Sequence, residues 1–341
     1  MKKSLVILLS FIAFLTFTFI MLGLMFDKDE NEKQAGLTDV YDVSANGDIA
    51  YVVYEKGIAH LLVNDKEKPL IQLPVEVAIT DIAFSDDGRM LAYTVTEKDT
   101  EISEETELHI YNLESGEDEI VFSSDSLITE LVFDPKNPDV LFYLQAGIVT
   151  NYSPIASERP HEFDVHSYNV TEKKQTKHTD MKKYSMMSLQ VSAEKDSVFV
   201  QMDDDEHAET ADDIFSTSQR IFEIPLDNPD EKSIVSSPVQ ADDIYDFVII
   251  PESQDIVYQA VGGTDENGTF EYELFKFNWR TYQTEQLTTL KESASNPKLG
   301  ADDKIYFMVD RSFGERTPAY HLFSINRDGT SPKEIELNNL E

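Results

Sequence analysis

The densest group of side chains able to bind metal or move protons is His161, Glu162, Asp164 and His166. In an extended strand alternate residues share a face, so Glu162, Asp164 and His166 would point together as part of a metal-ligand set. A further ligand would have to come from elsewhere, and an ordinary strand edge is the simpler reading. Acidic runs offer other candidates: EKDTEISEETE at 97–107 and DDDEHAETADD at 203–213. Clustered carboxylates suit Ca²⁺, which takes six to eight oxygens at ~2.3–2.6 Å, and Asp203, Asp205, Asp212 and Asp213 are the residues that would supply them. The EF-hand pattern D-x-[DN]-x-[DN]-G is not matched, because Asp203 and Asp205 are followed by His207 with no glycine in register. The runs therefore read as solvated acidic loops; no cofactor is predicted, with Ca²⁺ the one ion they suit. The sequence contains no G-x-S-x-G elbow, no H-E-x-x-H pair and no glycine-rich phosphate loop.

Charge and cysteine content narrow the field further. Against 28 basic residues stand 65 acidic ones, a formal charge of −37. Such a surface repels phosphate backbones, so nucleic acid is not expected as a partner. The absence of cysteine removes disulfides, thiolate metal sites and cysteine nucleophiles, and leaves packing and hydrogen bonds to close the fold.

From Ser4 to Phe26 there is no charge. Roughly 22 residues at ~1.5 Å each reach about 33 Å, enough for a ~30 Å hydrocarbon core. Residues 1–26 are therefore expected to be a transmembrane signal anchor. Lys2 and Lys3 on one side, with Asp27, Asp29, Glu30 and Glu32 on the other, predict a cytoplasmic N-terminus and an extracytoplasmic remainder. A cleaved signal peptide is the competing reading, disfavoured by the long apolar run and the lack of an A-x-A-like site. Residues 27–37, DKDENEKQAGL, read as a polar tether.

The residues from 38 to 341 repeat one pattern. Its clearest copy, ITDIAFSDDGRMLAYTV at 79–95, is an alternating strand, a tight turn at Ser85–Gly88 and a second alternating strand. LHIYNLESGEDEIVF at 108–122 adds a third strand, a turn at Glu114–Gly116 and a fourth. Second strands recur from Asp48, Arg89, Asp139, Asp196, Asp255 and Lys304, and third strands follow each. Six meanders with a period of about 40 to 60 residues predict an all-β fold, a six-bladed β-propeller, over a packing of two β-sandwiches.

In Ser85, Asp87, Gly88, Leu91, Ala92, Tyr93, Ile110 and Tyr111 the sequence resembles the TolB-like six-bladed propellers, relatives of the WD repeats. Asp86 stands where that pattern has proline, and Ser44, Gly47, Ile49, Ala50 and Tyr51 match it in part. The turns DPKNPD, SAEKD, PESQD and GADDK depart from it. The resemblance implies architecture for residues 38 to about 337.

Propeller geometry sends the 1–2 and 3–4 turns of every blade to one face, and the 2–3 loops and inter-blade links to the other. Here the first set is short, and the second holds the insertions 97–106, 146–162, 203–219, 262–271 and 310–318. Long loops gathered on one rim of a rigid scaffold predict a binding face. Glu101, Glu104, Asp203, Asp204, Asp205, Asp242, Asp243 and Asp265 are its candidate contacts. The function expected is a non-enzymatic, membrane-held binding module for a protein or cell-wall component. The alternative is a polysaccharide hydrolase or lyase using rim carboxylates as acid and base. Trp279, the single tryptophan, reads as a packing residue.

Overall fold

The computed structural model describes residues 2–26, 31–64, 66, 68–98, 105–151, 158–206, 208, 210, 213, 217–236 and 243–337. Six antiparallel meanders of four strands each follow one another; the first four are separate sheets with their strands in chain order, and the last two are joined into one eight-stranded sheet by a parallel bridge between Tyr272 and Ser293. The innermost strands are Gly36–Val43, Val77–Phe84, Ile128–Asp134, Met186–Val191, Phe247–Ile250 and Ser293–Leu299. The fold is an all-β, six-bladed propeller.

A blade buries both faces against its neighbours, so its second strand loses the in/out alternation of a one-sided sheet. Ser197–Asp203 is buried at every position, and Lys304–Asp310 at all but the first. The core is accordingly divided into six clusters, each between consecutive blades. Ile82, Leu91 and Tyr93 of blade two pack on Val52 and Leu61 of blade one, and Phe142 and Val165 of blade three pack on Val200 and Phe222 of blade four. The ring closes without strand exchange: Tyr41, Tyr51 and Leu62 of blade one pack on Tyr306, Met308 and Leu322 of blade six.

The turn chemistry is shared even where the sequence pattern fades. Gly88 has φ +67° and donates its N–H to the Ser85 carbonyl at 2.8 Å. Ser85 and Ser192 are both buried and accept backbone N–H groups from across their turns, Met90 at 2.9 Å and Lys195 at 3.0 Å. Asp134 does the same from the turn DPKNPD, accepting the Lys136 N–H at 2.9 Å. A short polar acceptor opens the turn in each case.

Two of the five expected insertions are strand over part of their length. The pairing of blade three runs on through Ile148 opposite His161 to Asn151 opposite Glu158, and that of blade five through Thr264 opposite Phe270. They are long hairpins rising from the rim.

The membrane expectation is corrected. Lys2–Phe26 form an α-helix. No helix among the described residues, however, is long and apolar enough to cross a membrane. The single-pass anchor, the cytoplasmic N-terminus and the extracytoplasmic placement are withdrawn together.

Candidate functional site

Around the central channel every blade grips the next through its innermost strand. Those strands slip register, as between Ile79 and Ile82, Met187 and Gln190, and Ser295 and Lys298. The slip frees backbone N–H groups and turns one polar side chain sideways. Asp42 accepts the Phe84 N–H at 2.7 Å, and Asp81 accepts the Leu131 N–H at 2.6 Å. Glu130 takes two, from Ser188 and Leu189, each at 2.7 Å. The Ser188 hydroxyl donates to Asp246 at 3.3 Å, and Asp246 accepts the Asn296 N–H at 3.0 Å. Asn296 completes the ring: its side chain donates to the Asp39 carbonyl at 3.0 Å, and its own carbonyl accepts the Tyr41 hydroxyl at 2.6 Å. Ser188 (φ +56°) and Asn296 (φ +49°) adopt the left-handed backbone at these bulges.

Four carboxylates thus surround one amine, Lys298, whose Nζ lies 3.9 Å from Asp42. Burial pushes the Asp81 carboxyl up to about 6 and, with the charge of Asp81 added, Glu130 up to about 7. Asp42 and Asp246 are raised by burial too. Burial alone would lower Lys298, but Asp42, Asp81, Glu130 and Asp246 hold it above the ordinary lysine value. These carboxylates are committed to the backbone of the next blade, so they act as clasps between blades.

Leu131, Leu189, Gln190 and Lys298 border cavities at both ends of the channel. At the short-turn end lies a cavity of about 490 Å³ lined by Phe133, Leu189, Ile249, Trp279 and Leu299. It extends among Phe199, Val235 and Ile249, the packing surface between blades four and five that also holds Trp279. At the long-loop end lies a cavity of about 360 Å³, lined by Asp39, Asp81, Glu130, Asp246 and Asp310, with Phe313 and Tyr320 at its side. Reduced hydration of the Asp39 carboxyl, and the charges of Asp246 and Asp310, raise its pKa.

Of the residues predicted from sequence, none that is described lines this cavity. Asp203 is buried, bonded to the Gln219 amide, and pushed up to about 6 by burial and by Asp205. Asp205 is ion-paired with Lys183, Asp243 accepts the Gln219 N–H at 3.1 Å, and Asp204 is exposed. Asp213 bonds Thr210 within its own loop at 2.8 Å. Asp265 accepts the Thr269 and Asn267 N–H groups, both at 2.8 Å, and these hold its carboxyl below the usual range. Glu101, Glu104, Asp212 and Asp242 lie outside the described residues. Among the described residues no group of three or more His, Asp or Glu is arranged to hold a metal ion.

The His161–His166 group is structural. Asp164 is buried and accepts the Thr179 hydroxyl at 2.8 Å and the Met181 N–H at 2.6 Å, with Lys177 at 3.0 Å. His166 stacks on Tyr143, and burial lowers its pKa to about 4. Blade five repeats the device: Glu273 accepts the Thr288 hydroxyl and the Lys291 N–H. In both blades the threonine oxygen also accepts the next backbone N–H of the third strand, Val165 at 2.9 Å and Leu274 at 2.8 Å. The acidic residue with a hydroxyl some 15 positions on ties the outer strand to the blade.

Compared by sequence, the chain matches no family model and no curated protein. Compared by structure, it is similar to TolB from Acinetobacter baumannii, with TM-score 0.57 and 15% identity over 85% of this chain and 64% of that one. This chain therefore spans somewhat under two thirds of that TolB. An oligogalacturonate lyase from Vibrio parahaemolyticus is similar at TM-score 0.54 and 13% identity, covering 86% and 79% of the two chains. A chain of the nidogen/laminin complex is similar at 0.53 and 10%, covering 87% and 91%. At these identities the likeness is one of fold, and the fold is the TolB-like propeller.

Proposed function

We propose that residues 38–341 form a non-enzymatic binding propeller that takes its partner, a protein or cell-wall component, at the long-loop mouth of the channel. The observation that supports this most is the state of the channel carboxylates. Glu130 uses both oxygens on backbone N–H groups of the neighbouring blade, and Asp246 is held from both sides. A general acid or base must be free to exchange a proton with a reacting atom, whereas these groups hold a rigid rim for a ligand. Loops held on a rigid scaffold are where recognition residues concentrate.

Lyase chemistry, suggested by the Vibrio neighbour, is the weaker reading for a physical reason. Oligogalacturonate is itself a polyanion, and an acidic mouth on a chain of formal charge −37 repels it. Shortening residues 206–216 and 99–104 to minimal turns is expected to abolish partner capture from the native cells while moving the thermal midpoint by no more than a few degrees. Capture that survives the trimming with its affinity intact would count against the binding face.

A further inference from the structure

Two features of the long-loop mouth are unexplained by the clasps between blades. The first is Asp310, at the end of the second strand of blade six. It is only 7% exposed and lines the cavity. Its Oδ1 accepts both the Ser312 N–H at 2.9 Å and the Ala319 N–H at 2.7 Å. Oδ2 has no hydrogen-bond partner among the described residues. The neighbouring cation, Arg311, is turned outward to Glu334 at 2.9 Å and Glu292 at 3.7 Å, and Lys298 is engaged deeper in the channel. Asp39 and Asp246 add negative charge to the same cavity.

The second feature is aromatic. Tyr272 meets Phe313 edge-on, with ring centres 5.3 Å apart at 77°, and also meets Phe270 at 6.5 Å and Tyr245 at 5.4 Å. Phe313 and Phe270 are 43% and 54% exposed. Large apolar rings left in water beside a charged cavity mark a surface that a partner covers. Phe313 belongs to both features, since it lines the cavity and joins the aromatic group.

Five carboxylates against the one amine, Lys298, in the same cavity, beside exposed aromatic faces, fit one chemistry closely. A guanidinium presents a planar fork to a carboxylate and its flat face to an aromatic ring, and it is weakly enough hydrated to enter a partly enclosed cavity. A divalent metal would gain nothing from the rings and would require a fuller set of oxygens. We infer that the mouth is a subsite for an arginine side chain of a protein partner, the guanidinium between Asp310, Asp39 and Asp246, and a flanking apolar residue on Phe313 and Phe270. This rests on the binding-propeller reading and gives it a ligand class.

The test uses the full chain and two capped peptides, acetyl-Phe-Arg-Leu-amide and its citrulline counterpart, which keeps the shape and loses the charge. By calorimetry the arginine peptide is expected to bind saturably, and at least ~10-fold more tightly than the citrulline peptide. Asp310→Asn keeps the Oδ1 acceptor for Ser312 and Ala319 and removes only the charge, so its fold is maintained. It should weaken the arginine peptide about 10-fold, and Phe313→Ala about 5-fold. Emission of Trp279, at the opposite mouth, should not change. Equal binding of both peptides, no saturation by about 1 mM, a shift in Trp279 emission on binding, or binding of CaCl₂ alone that Asp310→Asn removes would each overturn the inference. Partner capture that is lost on loop trimming but unaffected by Asp310→Asn with Phe313→Ala would overturn the arginine subsite and leave the binding propeller standing.

Discussion

Glu130→Ala is expected to destabilise the propeller by about 2–5 kcal/mol, because it strands two backbone N–H groups at the channel wall. Ser188 and Leu189 both donate to this one side chain, and the Ser188 backbone sits at φ +56°, a conformation the neighbouring blade must hold in place. The effect should be read at pH 6, by urea unfolding of the full chain. There the carboxyl is largely protonated and its ionisation costs little. An aspartate at the same position would keep an acceptor while shortening the reach, and should fall between wild type and alanine. A loss below about 0.5 kcal/mol for alanine would show that the clasps between blades three and four are incidental to stability.

The second large effect is on pH. Glu130 and Asp81 have folded-state values pushed up to about 7 and about 6, mainly by burial, and Asp42 and Asp246 are raised in the same direction. A carboxyl whose pKa is higher folded than unfolded binds its proton preferentially in the folded state. Its contribution is fully present below the unfolded value near 4 and is lost as pH rises through about 6 and 7. For Glu130 the loss is on the order of 3 kcal/mol. The thermal midpoint should therefore rise as pH is lowered from 8 to 5, a direction that the easing of self-repulsion in so acidic a chain reinforces. Glu130→Gln, which cannot ionise, should flatten that slope while lowering the midpoint at pH 5. A midpoint that climbs from pH 5 to pH 8 would contradict the buried, crowded state of these carboxylates.

These clasps were the part of the molecule hardest to read from the chain. Second and third strands declare themselves, since ITDIAFSDDGRMLAYTV and LHIYNLESGEDEIVF carry turn residues and apolar runs at fixed spacing, and their recurrence gives six blades. Degenerate turns such as SAEKD hid little, because Ser192 supplies the acceptor that Ser85 supplies in the clear copy. Asp42, Asp81, Glu130 and Asp246 are different. Each is a single acidic residue in or next to an innermost strand, in a chain already rich in acid, and only ring closure brings them together. Their signal was an acidic position in or beside the innermost strand of blades one, two, three and five, with Ser188 in blade four and Asn296 in blade six completing the ring. Asp164 and Glu273 show the converse failure. The histidines around Asp164 drew attention to metal, while the informative partners were Thr179 and Thr288, far along the chain.

The acidic rim was legible as composition and less so as geometry. Asp205 and Asp265 are spent on Lys183 and on their own turn, whereas Asp310 sits in the 310–318 segment that loop length had marked without singling out that residue. A run of carboxylates in sequence does not converge merely because it is dense. One aspartate at a strand end, lining a channel and with no partner for its second oxygen among the described residues, carries more information about a ligand.

The central claim is that a partner enters at the long-loop mouth, and position-specific photocrosslinking tests it most directly. A photoreactive residue is placed in the full chain at Phe313 in one variant and at Trp279 in another, one at each mouth of the channel. In native cells the Phe313 variant should give a discrete crosslinked product, lost with Asp310→Asn, and the Trp279 variant should give none. Crosslinking from Trp279 with none from Phe313 would place recognition at the short-turn cavity and contradict the claim.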